Sequence, residues 1–224
     1  MIITVTLNPA LDKTVEIPDF SLDAVNRIIT MRTDPGGKGL NVSKVIAKLG
    51  GTSTAVGVLG GTTGRRIADA MDALGIACNF TFVEGETRTN LKVIDPARHT
   101  NTDLNEPGLT VTQQTLDGML AALTQSIRPG DIVVLSGSLP KGAPADTYGV
   151  WTAACREAGA RVFLDADGEE LPLAPAIGSQ VSAPEGGRFT QEGALAASES
   201  LPDALTIQAY DFMTKEVYDT QTLR

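Results

Sequence analysis

Asp34-Pro35-Gly36-Gly37-Lys38-Gly39-Leu40-Asn41 sets three glycines and a lysine immediately ahead of the helical run Val42 to Leu49. Glycines let the backbone take positive φ and lie close against a ligand. A helix starting just afterwards turns its unpaired N–H groups and positive dipole end back toward that loop. With the charge of Lys38 added, the stretch makes a seat for an anionic or polyhydroxy ligand. The same pattern also serves as a plain chain reversal, and the stretch by itself leaves both readings open. It is not a P-loop, which needs Ser or Thr after Gly-Lys, because Gly39 follows Lys38 here.

Three further groups can join that seat. Asp12, in Asn8-Pro9-Ala10-Leu11-Asp12-Lys13, places a carboxylate just past the C-terminal end of a strand read over Ile2 to Leu7. In open α/β sheets that edge is where ligands bind, although an ordinary turn residue fits the position equally well. Arg88 lies among Thr87, Thr89 and Asn90, and a cation among small polar side chains suits a phosphate as well as solvent. Ser136-Gly137-Ser138-Leu139-Pro140 ends a second buried strand at the same edge. The single histidine, His99, has no second histidine or nearby cysteine to work with. Cys78 and Cys155 have neither metal-ligand nor Cys-x-x-Cys spacing and read as two buried free thiols in a reducing compartment.

The elements that would position these groups follow from periodicity. Ile2 to Leu7, Thr54 to Leu59, Ile132 to Leu135 and Arg161 to Leu164 are short apolar runs of the kind buried inside a parallel sheet. Helices are expected at 41–49, over the stripe Ile67, Met71 and Leu74, over Thr110 to Ile127 and over Ala145 to Ala158. Strands alternating with helices indicate a doubly wound α/β sheet. Short polar β segments at about 14–33 and 80–105 are left over, and form a small β lid. From Ser179 to Arg224 the chain carries three basic and seven acidic residues, and 182–200 is rich in Gly, Ala, Ser and Glu. This reads as an atypical acidic tail, partly disordered or helical at 203–222.

The 224 residues carry a formal net charge of −9. That excludes nucleic acid and anionic membrane surfaces as general partners, and makes the local cations Arg27, Lys38 and Arg88 matter more than the total. The N-terminus lacks a basic region and no apolar stretch reaches the length of a membrane span, so the expected location is cytoplasmic.

Taken together, four stretches occur in a recognisable order: Thr6-Leu7-Asn8-Pro9-Ala10-Leu11-Asp12, Gly36 to Ser43, Thr87-Arg88-Thr89-Asn90 and Leu135 to Pro140. Over about residues 1–178 the chain resembles the PfkB branch of the ribokinase-like carbohydrate kinases, most closely the 1-phosphofructokinase and tagatose-6-phosphate kinase subgroup. The resemblance implies an incomplete ribokinase-like domain that uses ATP and Mg2+ to convert fructose 1-phosphate to fructose 1,6-bisphosphate, with tagatose 6-phosphate as the alternative substrate. It implies that Asp12 holds sugar hydroxyls and that Gly36, Gly37, Lys38 and Asn41 lie along the sugar phosphate. Arg88, helped by Arg27, binds the phosphate already present, and Ser138 closes the floor. It also implies that the lid pairs with the lid of a second copy, giving a homodimer.

The departures point the other way. The family's Gly-Ala-Gly-Asp turn, whose aspartate is the catalytic base, does not occur in this chain. The counterpart of its Lys-Pro-Asn-x-x-Glu stretch falls at Ala183-Pro184-Glu185-Gly186-Gly187-Arg188, without the asparagine or the glutamate. No catalytic residue and no metal ligand is therefore assigned. Phosphoryl transfer depends on positioning and charge stabilisation, so a sugar-phosphate binder or truncated kinase is the competing expectation.

Overall fold

The computed structural model describes residues 1–166. The expectations for 183–188 and for the tail at 179–224 lie outside the described residues.

Five strands form the main sheet: β1 (Ile2–Thr6), β4 (Thr54–Gly60), β5 (Ala77–Val83), β8 (Ile132–Ser136) and β9 (Arg161–Asp165). Their order is β5-β4-β1-β8-β9, and every pairing is parallel. The chain fills one side of β1 with β4 and β5, then crosses to fill the other with β8 and β9. The topological switch therefore lies between β1 and β8, where open α/β sheets bind ligands beyond the strand C-termini.

Alternation along β1 divides the interior between two faces. Ile3, Val5 and Leu7 point into a cluster with Leu116, Met119 and Leu123 of α3 (Gln113–Ser126) and Tyr148, Trp151 and Cys155 of α4 (Thr147–Glu157). On the opposite face, α1 (Lys38–Lys48) and α2 (Gly61–Ala73) bury Leu40, Ile67 and Met71 against Ala55 and Leu59. Burying a side chain such as Leu40 completely contributes about 2 kcal/mol. Thr4 and Thr6 face α1. Thr4 Oγ1 and Ser43 Oγ stand 2.7 Å apart, and Ser53 donates to Ser43 Oγ at 2.9 Å, so a buried chain of hydroxyls pins α1 to the sheet.

A second, four-stranded sheet forms the lid, in the order β3-β2-β6-β7. It consists of β2 (Ala10–Glu16), β3 (Thr30–Gly36), β6 (Thr89–Asp95) and β7 (Thr100–Leu104). Here β2 pairs antiparallel with β3 but parallel with β6. Leu11, Val15, Leu91 and Val93 share one face, while Asp12, Thr14, Asn90 and Lys92 share the other.

Four expectations change. Residues 8–13 are not one turn, because β2 already begins at Ala10, so Asp12 is a strand residue. Phe80 to Val83 belongs to the main sheet rather than the lid, since α2 provides the crossover that lays β5 parallel to β4. Leu74 follows the last turn of α2 and is 53% exposed, leaving Ile67 and Met71 to carry the stripe. Cys155 is buried as expected, but Cys78 on the edge strand β5 is exposed.

Candidate functional site

The first turn of α1 opens directly onto the switch point. Its N-cap, Gly37, has φ 118° and offers no side chain to the first-turn amides, and that turn holds no acidic residue. The glycines here answer to different neighbours. An added Cβ at Gly39 would stand 2.5 Å from Thr6 Oγ1 and 2.8 Å from the Val5 carbonyl, so α1 can approach β1 this closely only with hydrogen there. An added Cβ at Gly36 would overlap the Asp12 carboxylate instead. The loop and the carboxylate therefore share one space. Asn41, one turn into α1, is exposed, its backbone N–H donating to the Gly37 carbonyl at 3.0 Å.

Asp12 is held by Asn90, whose Nδ2 donates to Oδ1 at 3.0 Å from the neighbouring lid strand. Burial raises the Asp12 carboxyl above its ordinary value, while the Asn90 hydrogen bond and the cations Lys44, Arg88 and Lys92 pull the other way. A partly desolvated carboxylate of this kind is a strong hydrogen-bond acceptor for hydroxyl groups. The Asn90 Oδ1 atom is buried without a partner among the described residues. Burial also lowers the Arg88 guanidinium from its usual value, against the opposing pull of Asp12.

The floor comes from β8 and β9. Ser138 Oγ accepts from Asn8 Nδ2 at 3.2 Å, and the same Asn8 amide donates to the Leu139 carbonyl at 3.3 Å. Asp165, the last residue of β9, accepts from Ser136 Oγ at 3.1 Å and pairs with Lys38 Nζ at 3.5 Å. Gly137, with φ 103°, lies between them against the start of α1.

Asp12, Gly36, Gly37, Lys38, Arg88 and Ser138 are thus brought to one mouth between lid and sheet, with Asn41 one turn further along α1. Arg27 is not. Thr30 pairs with Glu16 at the lid's tip, whereas Gly36 pairs with Ala10 at its base. At about 3.3 Å per residue this leaves Arg27 some 20 Å or more from the loop along β3. Sequence reasoning did not single out Asn8, Asn90 or Asp165 as site groups. Asn8 and Asn90 stand inside the quoted motifs, but their partners, at Ser138 and Asp12, are more than 70 residues away. Among the described residues no group of three or more His, Cys, Asp or Glu is arranged to hold a metal ion. No helix there is long and apolar enough to cross a membrane.

The comparisons with known proteins agree with this geometry. The profile of the pfkB family carbohydrate kinases matches residues 5–183. The 1-phosphofructokinase of Rhodobacter capsulatus is 41% identical over 184 residues, covering 82% of this chain and 58% of the relative. The tagatose-6-phosphate kinase of Staphylococcus epidermidis is 34% identical, covering 76% of this chain and 54% of the relative. Among solved structures, phosphofructokinase-2 from Escherichia coli in complex with fructose-6-phosphate superposes with a TM-score of 0.71 at 30% identity, covering 75% of this chain and 55% of that one. The chain spans a little over half the length of these relatives. The mostly parallel sheet with its β lid is the ribokinase-like fold. The ordered motifs, the glycine loop beneath Asp12 and these matches together make the chain a member of the pfkB family of carbohydrate kinases.

Proposed function

We propose that the chain forms the acceptor side of an ATP-dependent kinase for a phosphorylated ketohexose, converting fructose 1-phosphate to fructose 1,6-bisphosphate. The observation that carries this reading is the half-buried Asp12 carboxylate, held by Asn90, directly over Gly36 and the open start of α1. Asp12 takes sugar hydroxyls. The first-turn amides of α1, Lys38 and Arg88 take the phosphate, while Asn41 lines the mouth and Ser138 closes the floor. The names of the relatives support a phosphorylated ketohexose, with tagatose 6-phosphate as the alternative.

ATP enters as the second substrate. The described residues supply no carboxylate cluster for a resident Mg2+. Mg2+ commonly arrives with nucleotide phosphates and keeps much of its water, so it is assigned to ATP. No base is assigned to the sugar hydroxyl.

Arg27 sits at the lid's tip, so it reaches a sugar phosphate only across a pairing of two lids. Met31 and Leu104, 59% and 53% exposed on the outer lid strands, favour such a homodimer. The free thiols Cys78 and Cys155 fit a reducing cytoplasm.

A second reading, a sugar-phosphate binder with no transfer activity, is favoured by the missing Gly-Ala-Gly-Asp turn. A coupled assay with fructose 1-phosphate, ATP and Mg2+, run beside calorimetric titration, separates the two. Turnover that needs both substrates supports the kinase. Sugar-phosphate binding without turnover supports the binder, and absence of both sinks both readings.

A further inference from the structure

The guanidinium of Arg88 is already engaged with the protein. Nη2 donates to the Asn8 carbonyl at 2.8 Å, Nη1 to the Glu106 carbonyl at 3.3 Å and Nε to the Pro9 carbonyl at 3.4 Å. These acceptors lie on two separate crossings between sheet and lid. Residues 7–9 lead from β1 into β2, and 105–109 return from β7. Arg88 itself stands on a third crossing, 84–88, and its own carbonyl accepts from the Leu11 amide at 2.9 Å. Only the passage from β3 into α1 at Gly36 and Gly37 is left out.

The neighbours tighten the same junction. Thr89 N donates to the Glu106 carboxylate at 2.8 Å. Thr87 Oγ1 accepts from Gly60 N at 2.8 Å and donates to the Gly60 carbonyl at 3.1 Å, fixing the third crossing to the end of β4. Gly108, with φ 85°, packs so closely that an added Cβ would overlap the Asn8 amide oxygen and stand 3.2 Å from Arg88 Cδ. Asn8 in turn reaches Ser138 and Leu139, so one polar chain runs from the site floor to the base of the lid.

We propose that Arg88 is a positioning residue whose guanidinium ties its own chain crossing to two others, so that three of the four crossings that carry the lid are held together, and so sets how Asp12 and Asn90 stand over the glycine loop. A guanidinium presents five N–H donors in a planar fork, so three can hold carbonyls while two remain for a ligand. A lysine keeps the charge but offers one compact ammonium, which cannot span acceptors on two crossings. The clasp is a property of the ligand-free chain; only its consequence for sugar-phosphate binding rests on the function proposed above.

The test uses the full 224-residue chain as wild type, Arg88→Lys, Arg88→Ala and Gly108→Ala. Amide exchange is followed without ligand, and each protein is then titrated with fructose 1-phosphate. In Arg88→Lys the amides of Leu11 and of β6 should exchange about tenfold or more faster, the loss expected from a charge-assisted hydrogen bond, while β1, β4 and β8 keep their protection. Fructose 1-phosphate affinity should fall as far in Arg88→Lys as in Arg88→Ala. Gly108→Ala, which keeps the guanidinium but crowds the clasp, should loosen the lid alone in the same way. Unchanged lid exchange in Arg88→Lys, or affinity restored by lysine, overturns the proposal, as does faster exchange spread evenly over the whole sheet. A wild type that ignores fructose 1-phosphate would count against the proposed function, and the ligand-free exchange would still decide the clasp.

Discussion

Asn90 donates to Asp12 at 3.0 Å across a parallel pair of lid strands whose residues lie 78 positions apart. Asp12 and Asn90 are directly opposite in register, and the bond holds the half-buried Asp12 carboxylate against Gly36. A strand-to-strand pairing thus places the group that the candidate site depends on.

Asp12→Asn should separate stability from binding. Burial raises the Asp12 carboxyl in the folded chain above the ordinary 3.8. The unfolded chain therefore releases its proton first, and stability falls as pH rises from 3.8 toward the folded value, with the full penalty present above it. Asn removes that charge. At pH 7 the variant should melt no lower than wild type, while fructose 1-phosphate affinity falls about 10- to 100-fold for a lost charge-assisted hydrogen bond. A lower melting temperature with unchanged affinity would make Asp12 a structural residue.

Gly36→Ala and Gly39→Ala should fail differently. At Gly36 the obstacle is the end of the Asp12 side chain, which can swing aside, so affinity should drop while stability falls by roughly 1 kcal/mol or less. At Gly39 the Val5 backbone carbonyl stands in the way and cannot move, so stability should fall by about 1–3 kcal/mol or more. Urea unfolding beside titration distinguishes the two, and equal stability losses would contradict this account.

Asp95→Ala should loosen the tip of the lid. This buried carboxylate accepts from the amides of Asp19 and Phe20 on one loop and of Ala97 and Arg98 on another, at 2.9–3.2 Å. Burial opposes its charge, but the four donors outweigh that and hold the carboxyl below the ordinary 3.8. Its contribution is present above 3.8 and is lost as pH falls through the depressed folded value. Amide exchange in the variant should quicken at residues 19–20 and 97–98 and leave β1 untouched; protection retained at those amides would show that the bonds do not hold the tip.

Cys78 and Cys155 should react in sequence with a thiol reagent. Burial pushes the Cys155 thiol up to about 11, and partial burial of the Cys78 sulfur, with Asp72 adding to it, raises that thiol as far, so neither is a ready thiolate near neutral pH. Cys78 is exposed and Cys155 is buried in the α4 core. One thiol per native chain should titrate slowly and the second only in denaturant. Two equally fast thiols in the native chain would contradict this packing.

Much of the main sheet was legible because its signals are local. Runs such as Ile132 to Leu135 and stripes such as Leu116, Leu120, Leu123 and Ile127 declare strands and helices through spacing alone. The lid was harder. Its strands are polar on one face, and Thr30 to Asp34 are exposed, so apolar periodicity is weak there. Phe80 to Val83 looked like lid because it is short and runs on through a turn into further short β segments; its pairing with β4 depends on how α2 carries the chain back. Asn8-Pro9 suggested a longer turn, whereas Pro9 ends the crossing and β2 starts at once.

The sequence by itself determined the chemistry on offer: a glycine loop at a helix start, Lys38 beside it, and Asp12, Arg88 and Ser138 at strand ends or in small polar clusters. Those readings need only residue type and near-neighbour spacing. The tertiary structure alone decided which groups meet. It set Asp12 against Asn90 and Gly36, joined Asn8 to Ser138, paired Lys38 with Asp165, tied the Arg88 guanidinium to two crossings beyond its own and left Arg27 at the far tip. Each of those meetings depends on strand order and register, which arise from long-range pairing and loop closure rather than from any local pattern.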